Sequence, residues 1–134
     1  MDYYFTICTK RNQKMHGCRH WEEMFRLDEK RTVIRCRDKN TNKLLGQLAI
    51  ELNKEEAWIF FLSVNPKFRG NGIGTELVGK AENFIRKKNI EKILLRPQKE
   101  FEARLVPWYE SLGYKKLYRD KTCRNEWIME KDIQ

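Results

Sequence analysis

The sequence predicts an α/β fold whose elements follow an α+β order: a mixed, mainly antiparallel sheet with one strand–helix–strand unit inside it. Three observations carry this. Short β-branched and aromatic runs recur along the whole chain. One of them, 56–64, is continuously apolar and is followed by Pro66 and the glycines Gly70, Gly72 and Gly74. Directly after those glycines the apolar spacing changes to that of a helix. The chain has 134 residues, 40% hydrophobic and 35% charged. That suits a single domain over 1–134 with one buried core and excludes a disordered chain.

The elements follow in order. Residues 2–8 are aromatic and β-branched and predict a strand. Trp21, Met24 and Phe25 have helical spacing, which places a short helix near 19–27. Residues 32–37 alternate as a strand does, and the turn cluster Asp38, Lys39, Asn40, Thr41, Asn42 makes 43–52 its hairpin partner. The run 56–64 lacks alternation, which predicts a central strand covered on both faces. Leu77, Val78, Ala81, Phe84 and Ile85 predict a helix from Thr75 to near Lys88, with basic residues at the end where the helix dipole favours them. Residues 92–96 predict a buried strand stopped by Pro97. A second helix is expected near 102–112, ending at Gly113. Pro107 inside it predicts a kink, or a start at 106–107. Strands at 114–119 and 124–131 close the chain.

The net charge is +9, spread along the chain instead of forming one block. This fits a solvated lysine-rich surface, part of which can serve an anionic ligand, and a nucleic-acid partner is not expected. No apolar run approaches the length of a membrane span, and Met1 to Phe5 lack the pattern of a secretory leader, so a cytoplasmic location is expected. Cys8, Cys18, Cys36 and Cys123 show no Cys-x-x-Cys spacing and read as free thiols, two or three of them in core positions. The spacing in His16-Gly17-Cys18-Arg19-His20 suits no standard zinc site, and no metal is expected.

The segment with chemistry in it is Arg69-Gly70-Asn71-Gly72-Ile73-Gly74, between a strand and a helix. Glycines let the backbone come close to a phosphate and take up positive φ. The unsatisfied N–H groups of the helix's first turn then point at the ligand, and the dipole favours its negative charge. Thr75 can add a hydroxyl. A Gly-rich turn is also how an ordinary strand-to-helix connection is made. The spacing is not that of a dinucleotide fingerprint, and no Gly-Lys-Ser/Thr follows as in a P-loop.

Arg69-x-x-Gly72-x-Gly74 resembles the acetyl-CoA motif of the GNAT N-acetyltransferases, and Leu62-Ser63-Val64-Asn65-Pro66 looks like that family's central-strand ending. Leu105-Val106-Pro107-Trp108-Tyr109-Glu110-Ser111-Leu112-Gly113-Tyr114 looks like its late helix, and the Leu-Val-Pro-aromatic-Tyr core is similar to the arylalkylamine N-acetyltransferase branch. The resemblance covers roughly 56–119 and implies a GNAT fold, splayed where strands 56–64 and 92–96 part, with helices on both faces. It implies transfer of an acetyl group from acetyl-CoA, as cosubstrate and without a metal, to a primary amine. The late-helix similarity favours a small-molecule amine over a protein lysine or N-terminus. The family likeness further implies that the backbones of Leu62 and Val64 hold the pantetheine arm. Arg69, Gly70, Asn71, Gly72, Ile73, Gly74 and Thr75 would hold the pyrophosphate, and Tyr109 would be the general acid for the leaving thiolate. A core aromatic is the plainer reading of Tyr109. Trp108, next to it, is a candidate pocket residue.

The sequence also departs from the family. The positions where it often carries a base are here Trp58, Phe60, Arg96 and Pro97, and the usual asparagine of the late helix is Glu102. The base is therefore left among Glu56, His16, His20 and water. A non-catalytic acyl-CoA-sensing or nucleic-acid-binding module is the rival reading, and a monomer and a homodimer are both compatible with the sequence.

Overall fold

A computed structural model describes residues 2–9 and 31–133. The helix expected at 19–27, together with His16, Cys18, His20, Trp21 and Phe25, lies outside the described residues. The chain forms β1 (Tyr3–Cys8), β2 (Arg31–Asp38), β3 (Leu44–Leu52), β4 (Ala57–Val64), helix α1 (Ile73–Lys87), β5 (Lys92–Leu95), helix α2 (Glu102–Ser111), β6 (Lys115–Asp120) and β7 (Glu126–Asp132). The seven strands make one sheet in the order β1-β2-β3-β4-β5-β7-β6. Only β4 and β5 pair in parallel; every other pair is antiparallel. No helix among the described residues is long and apolar enough to cross a membrane.

The hairpin β2–β3 turns where the polar cluster predicts. Asp38 accepts backbone hydrogen bonds from Asn40 (2.7 Å) and Thr41 (3.0 Å), and Asn42 takes a left-handed φ of 65°. The α1 helix buries Ile73, Leu77, Val78, Ala81 and Ile85. These pack on Ile34, Leu48, Ile50 and Ile59 of the sheet, and α2 adds Val106 and Tyr109 to the same cluster. Each such aliphatic side chain contributes about 1.5–3 kcal/mol by leaving water. Gly46 lets α1 approach: a Cβ there would lie 3.2 Å from side-chain atoms of both Ile73 and Leu77.

Successive strand residues point to opposite faces. Gly46 faces α1, so Gln47 faces the other way. On that second face a row of ladder partners, Cys8, Val33, Ala49 and Phe60, forms a smaller apolar cluster. The adjacent row, one step along, is polar: Thr6, Arg35, Gln47 and Ser63.

Two expectations are corrected and a third is narrowed. The run 56–64 is not covered along its whole length. Ala57 and Ile59 are buried, but Phe61 is 56% exposed. The reason is the length of β5, which pairs with β4 only at Ala57, Trp58 and Ile59; Arg96-Pro97 ends it, and the sheet splays beyond. The second helix, expected near 102–112, runs over Glu102–Ser111 after a short 3-10 turn over Lys99–Phe101, and it holds Pro107 in its interior instead of starting at 106–107. A proline there removes one helical hydrogen bond. Paired contacts secure both ends of the helix. Arg119 holds Glu102 at 2.8 Å, and the Tyr109 carbonyl accepts from Leu112 (3.0 Å) and Tyr114 (3.1 Å). The cysteines are not all free: Cys36 and Cys123 are thiols, whereas Cys8 is disulfide-bonded.

Candidate active site

The second half of β4 does two unusual things. Its pairing with β3 shifts register between Gln47 and Ala49, so that Ser63 lies opposite Gln47 but Phe60 lies opposite Ala49. The extra residue is a β-bulge, and Phe61 at that point has φ 54°. A left-handed aromatic residue costs on the order of 1–2 kcal/mol and persists only where its surroundings impose it. Past the bulge, Asn65 N donates to the Leu45 carbonyl at 2.7 Å, on the β3 side. By alternation the backbone groups of Val64 and Leu62 face away from β3, into the gap where β5 has stopped. An extended ligand with amide groups can add there as a strand would. One detail refines the expectation for Val64: its carbonyl accepts from Arg69 Nε at 3.2 Å.

Beyond the gap comes the glycine turn. Asn65 caps a single 3-10 turn over Pro66–Phe68 by accepting from Lys67 N at 3.0 Å. The chain then enters α1 through Gly72, in a left-handed conformation with φ 81°, and no side chain caps the helix. Space is open around the Cβ positions of both Gly70 and Gly72. An anion therefore meets unsatisfied N–H groups and the positive end of the dipole with nothing in the way. Gly74 serves close approach instead, since a Cβ there would lie 3.3 Å from the Trp108 ring of α2.

These elements enclose a cavity of about 690 Å³, within the range of sites for small molecules. Of the residues picked from sequence, it is lined by Leu62, Val64, Arg69, Gly70, Gly72, Ile73, Gly74, Thr75, Trp108 and Tyr109. Asn71 is not in its wall; the Asn71 side chain donates to the Phe68 carbonyl at 3.0 Å and holds the turn. Glu56 is also outside the wall, because it precedes the buried start of β4, at the far end from the bulge. Glu102 is ion-paired with Arg119 (2.8 Å) and Lys99 (3.7 Å), and the bond from Arg119 holds its carboxyl below the usual range. Residues that sequence reasoning missed are Gln47, Phe61, Phe68, Gln98, Phe101 and Arg104. No aspartate, glutamate or histidine among the described residues lines the cavity.

Tyr109 is 6% exposed, and burial pushes its phenol up to about 12. It is therefore protonated throughout the neutral range and has a proton to donate there. Its ring packs against Trp108 (centroids 4.9 Å) and Tyr114 (5.8 Å), which fixes the hydroxyl's position. Gln47 and Gly74 lie on opposite faces of the sheet, yet both line the cavity. The cavity is thus lined from both faces of the sheet, by the glycine turn before α1 and by Gln47 and Ser63.

The profile of the acetyltransferase (GNAT) family matches residues 2–114. Among solved structures, the chain is similar to an acetyltransferase of the GNAT family from Staphylococcus aureus MU50, with 14% identity, 99% and 100% of the two chains covered, and TM-score 0.75. It is also similar to the PaiA N-acetyltransferase from Thermoplasma acidophilum, solved in complex with coenzyme A (15% identity, 98% and 99% covered, TM-score 0.72). A third is the ribosomal-protein-S18-alanine N-acetyltransferase from Escherichia coli (18% identity, 98% and 95% covered, TM-score 0.69). No curated protein matches. At these identities the structural likeness concerns the fold.

Proposed function

The chain belongs to the GNAT acetyltransferase family, and from that premise we propose that it is one catalytic domain over 1–134 that moves an acetyl group from acetyl-CoA to a primary amine, of the small-molecule kind. The observation that carries this reading is one cavity lined together by the α1 N-terminus, the second half of β4 and Tyr109. The residues fit the cosubstrate. The cradle of Gly70, Gly72 and Thr75 with Arg69 suits a pyrophosphate, and the gap beside Leu62 and Val64 suits an amide-bearing arm. Acetyl-CoA supplies the acetyl group as an activated thioester, which the amine attacks. Tyr109 donates toward the sulfur and offsets the charge that develops there as the C–S bond breaks. Similarity of 105–109 to the arylalkylamine branch supports a small acceptor.

The test is release of the CoA thiol from acetyl-CoA in the presence of 2-phenylethylamine, glycinamide, spermidine and a lysine-containing basic peptide. Amine-dependent release supports the reading. Tight binding of acetyl-CoA with no release from any amine would make the protein a sensor, and fastest release with the peptide would make it a protein acetyltransferase.

The pH dependence follows from the wall. With no ionisable base in it among the described residues, the rising limb of kcat/KM is expected to track the acceptor's own pKa. It should move between 2-phenylethylamine and the more acidic glycinamide. A limb fixed near neutrality for both would reveal a protein base, and His16 and His20 would be replaced first.

A further inference from the structure

Gln47 is the feature that the proposed chemistry leaves unused. It stands on the second face of β3, opposite Ser63 and beside the bulge in β4. Its side chain is half-buried and lines the cavity. Its Oε1 is out of contact with solvent and has no hydrogen-bond partner among the described residues. A buried carbonyl left without a donor is destabilising, and native proteins rarely keep one without use. No donor reaches it from its ladder neighbour Arg35, which is fully buried on the same row. The terminal torsion of a glutamine is soft and roughly two-fold, so a half-turn of the amide can swing Oε1 toward the cavity.

We propose that Gln47 holds the acceptor amine: Oε1 accepts one N–H of the incoming nitrogen and turns its lone pair toward the thioester at the end of β4. This rests on the acetyltransferase reading above. A neutral amide suits the task better than a carboxylate. The attacking nitrogen must be uncharged, and a carboxylate in contact with it favours the ammonium form, which has no lone pair. Among the described residues, the other charged or titratable groups that line this space are Arg69 before α1, and Arg104 and Tyr109 on α2, and Arg35 is the ladder neighbour of Gln47 on β2. The guanidinium groups have no acceptor, and the Tyr109 hydroxyl is assigned to the leaving sulfur, so Gln47 is the amide acceptor at the bulge. Gln47 thus determines specificity by accepting a hydrogen bond from an uncharged primary amine, without selecting for a second positive charge.

The experiment compares Gln47→Leu and Gln47→Glu with the parent protein, using whichever amine of the panel above reacts fastest. For Gln47→Leu, KM for the amine is expected to rise about five- to tenfold, as for one lost hydrogen bond, with kcat falling as well. KM for acetyl-CoA should not change. The melting temperature should hold or rise, because the leucine removes an unpaired polar group. For Gln47→Glu, the rising limb of kcat should move up by about one pH unit, as for a bound amine next to an opposite charge. Amine kinetics within twofold of the parent in Gln47→Leu and an unmoved limb in Gln47→Glu would overturn the role, and so would a KM for acetyl-CoA that rises in step with that of the amine. Absence of thiol release in the parent protein itself would take down the acetyltransferase reading, and this role with it.

Discussion

Gly72→Asp is expected to lower the affinity for acetyl-CoA by about a hundredfold or more. The residue sits at the mouth of α1 with φ 81°, and space is open around its Cβ position. A Cβ there has no neighbour within 4 Å among the described residues, and the side chain would occupy the place proposed for the pyrophosphate. Two unit charges 4 Å apart interact by about 1 kcal/mol in water and about 4 kcal/mol at the effective dielectric of a protein surface. The new carboxylate would face a pyrophosphate with more than one charge. Part of any loss comes from the backbone, since a non-glycine residue in this conformation costs about 1–2 kcal/mol. Gly72→Ala carries that strain without the charge and should lose far less affinity. Calorimetry on both variants, with circular dichroism to show that each is folded, separates the two effects. Equal affinities for the aspartate and alanine variants would remove the anion from this end of the helix. The gap between them should narrow as salt rises, because surface charges are screened.

Tyr109→Phe should lower kcat and kcat/KM together by about a hundredfold, with acetyl-CoA affinity nearly unchanged. General acid catalysis is typically worth about that much or more, and the joint fall marks an interaction made mainly in the transition state. The ring stays, so the contacts with Trp108 and Tyr114 survive. Burial raises this phenol to about 12, which means the proton is still present as the pH rises through the neutral and mildly alkaline range. The deficit of the variant should therefore be constant across that range. It should shrink with the selenoester analogue of acetyl-CoA, whose leaving group departs as an anion more easily and needs the hydroxyl less. Full turnover in Tyr109→Phe, under conditions where chemistry limits the rate, would reduce the tyrosine to a packing residue. A variant that melts far below the parent would put the hydroxyl in the fold's support, and a folded variant at the same position would then be needed to measure catalysis.

The sheet was legible wherever the pattern is local. Alternation over 32–37, the turn cluster after it and the apolar repeat from Leu77 to Ile85 gave β2, the β2–β3 turn and α1. The glycines before Gly74 pointed to the cradle because their spacing is itself the local geometry. What stayed hidden depends on pairing between distant residues. Gln47 reaches the cavity because the β3–β4 register shifts at Phe61, and an apolar run such as 56–64 has no alternation in which a change of side could show. Phe101 and Arg104 line the cavity because α2 begins at Glu102 and presents one face along 101, 104, 105 and 108; the spacing places a helix near 102–112, but which of its faces meets the cavity is set by packing that local spacing does not encode. Asn71 fits the motif but spends its side chain on the turn, a contact three residues away that spacing alone does not reveal. The disulfide at Cys8 was missed because spacing and an assumed reducing compartment argued for thiols.

The bulge at Phe61 also bears on what the open edge of β4 can recruit. A sheet that opens between β4 and β5 exposes hydrogen-bonding backbone in its interior, and exposed strand edges recruit other chains. A foreign polypeptide needs an unbroken ladder several residues long to hold on. Here the left-handed residue kinks the edge, so only the short stretch from Leu62 to Val64 is available, and Arg69 already occupies one of its carbonyls. A pantetheine-like arm with two amides needs no more than that stretch. The same strained residue thus acts as a length filter: it leaves room for a small ligand's few hydrogen bonds and denies aggregation the run of pairs that it requires.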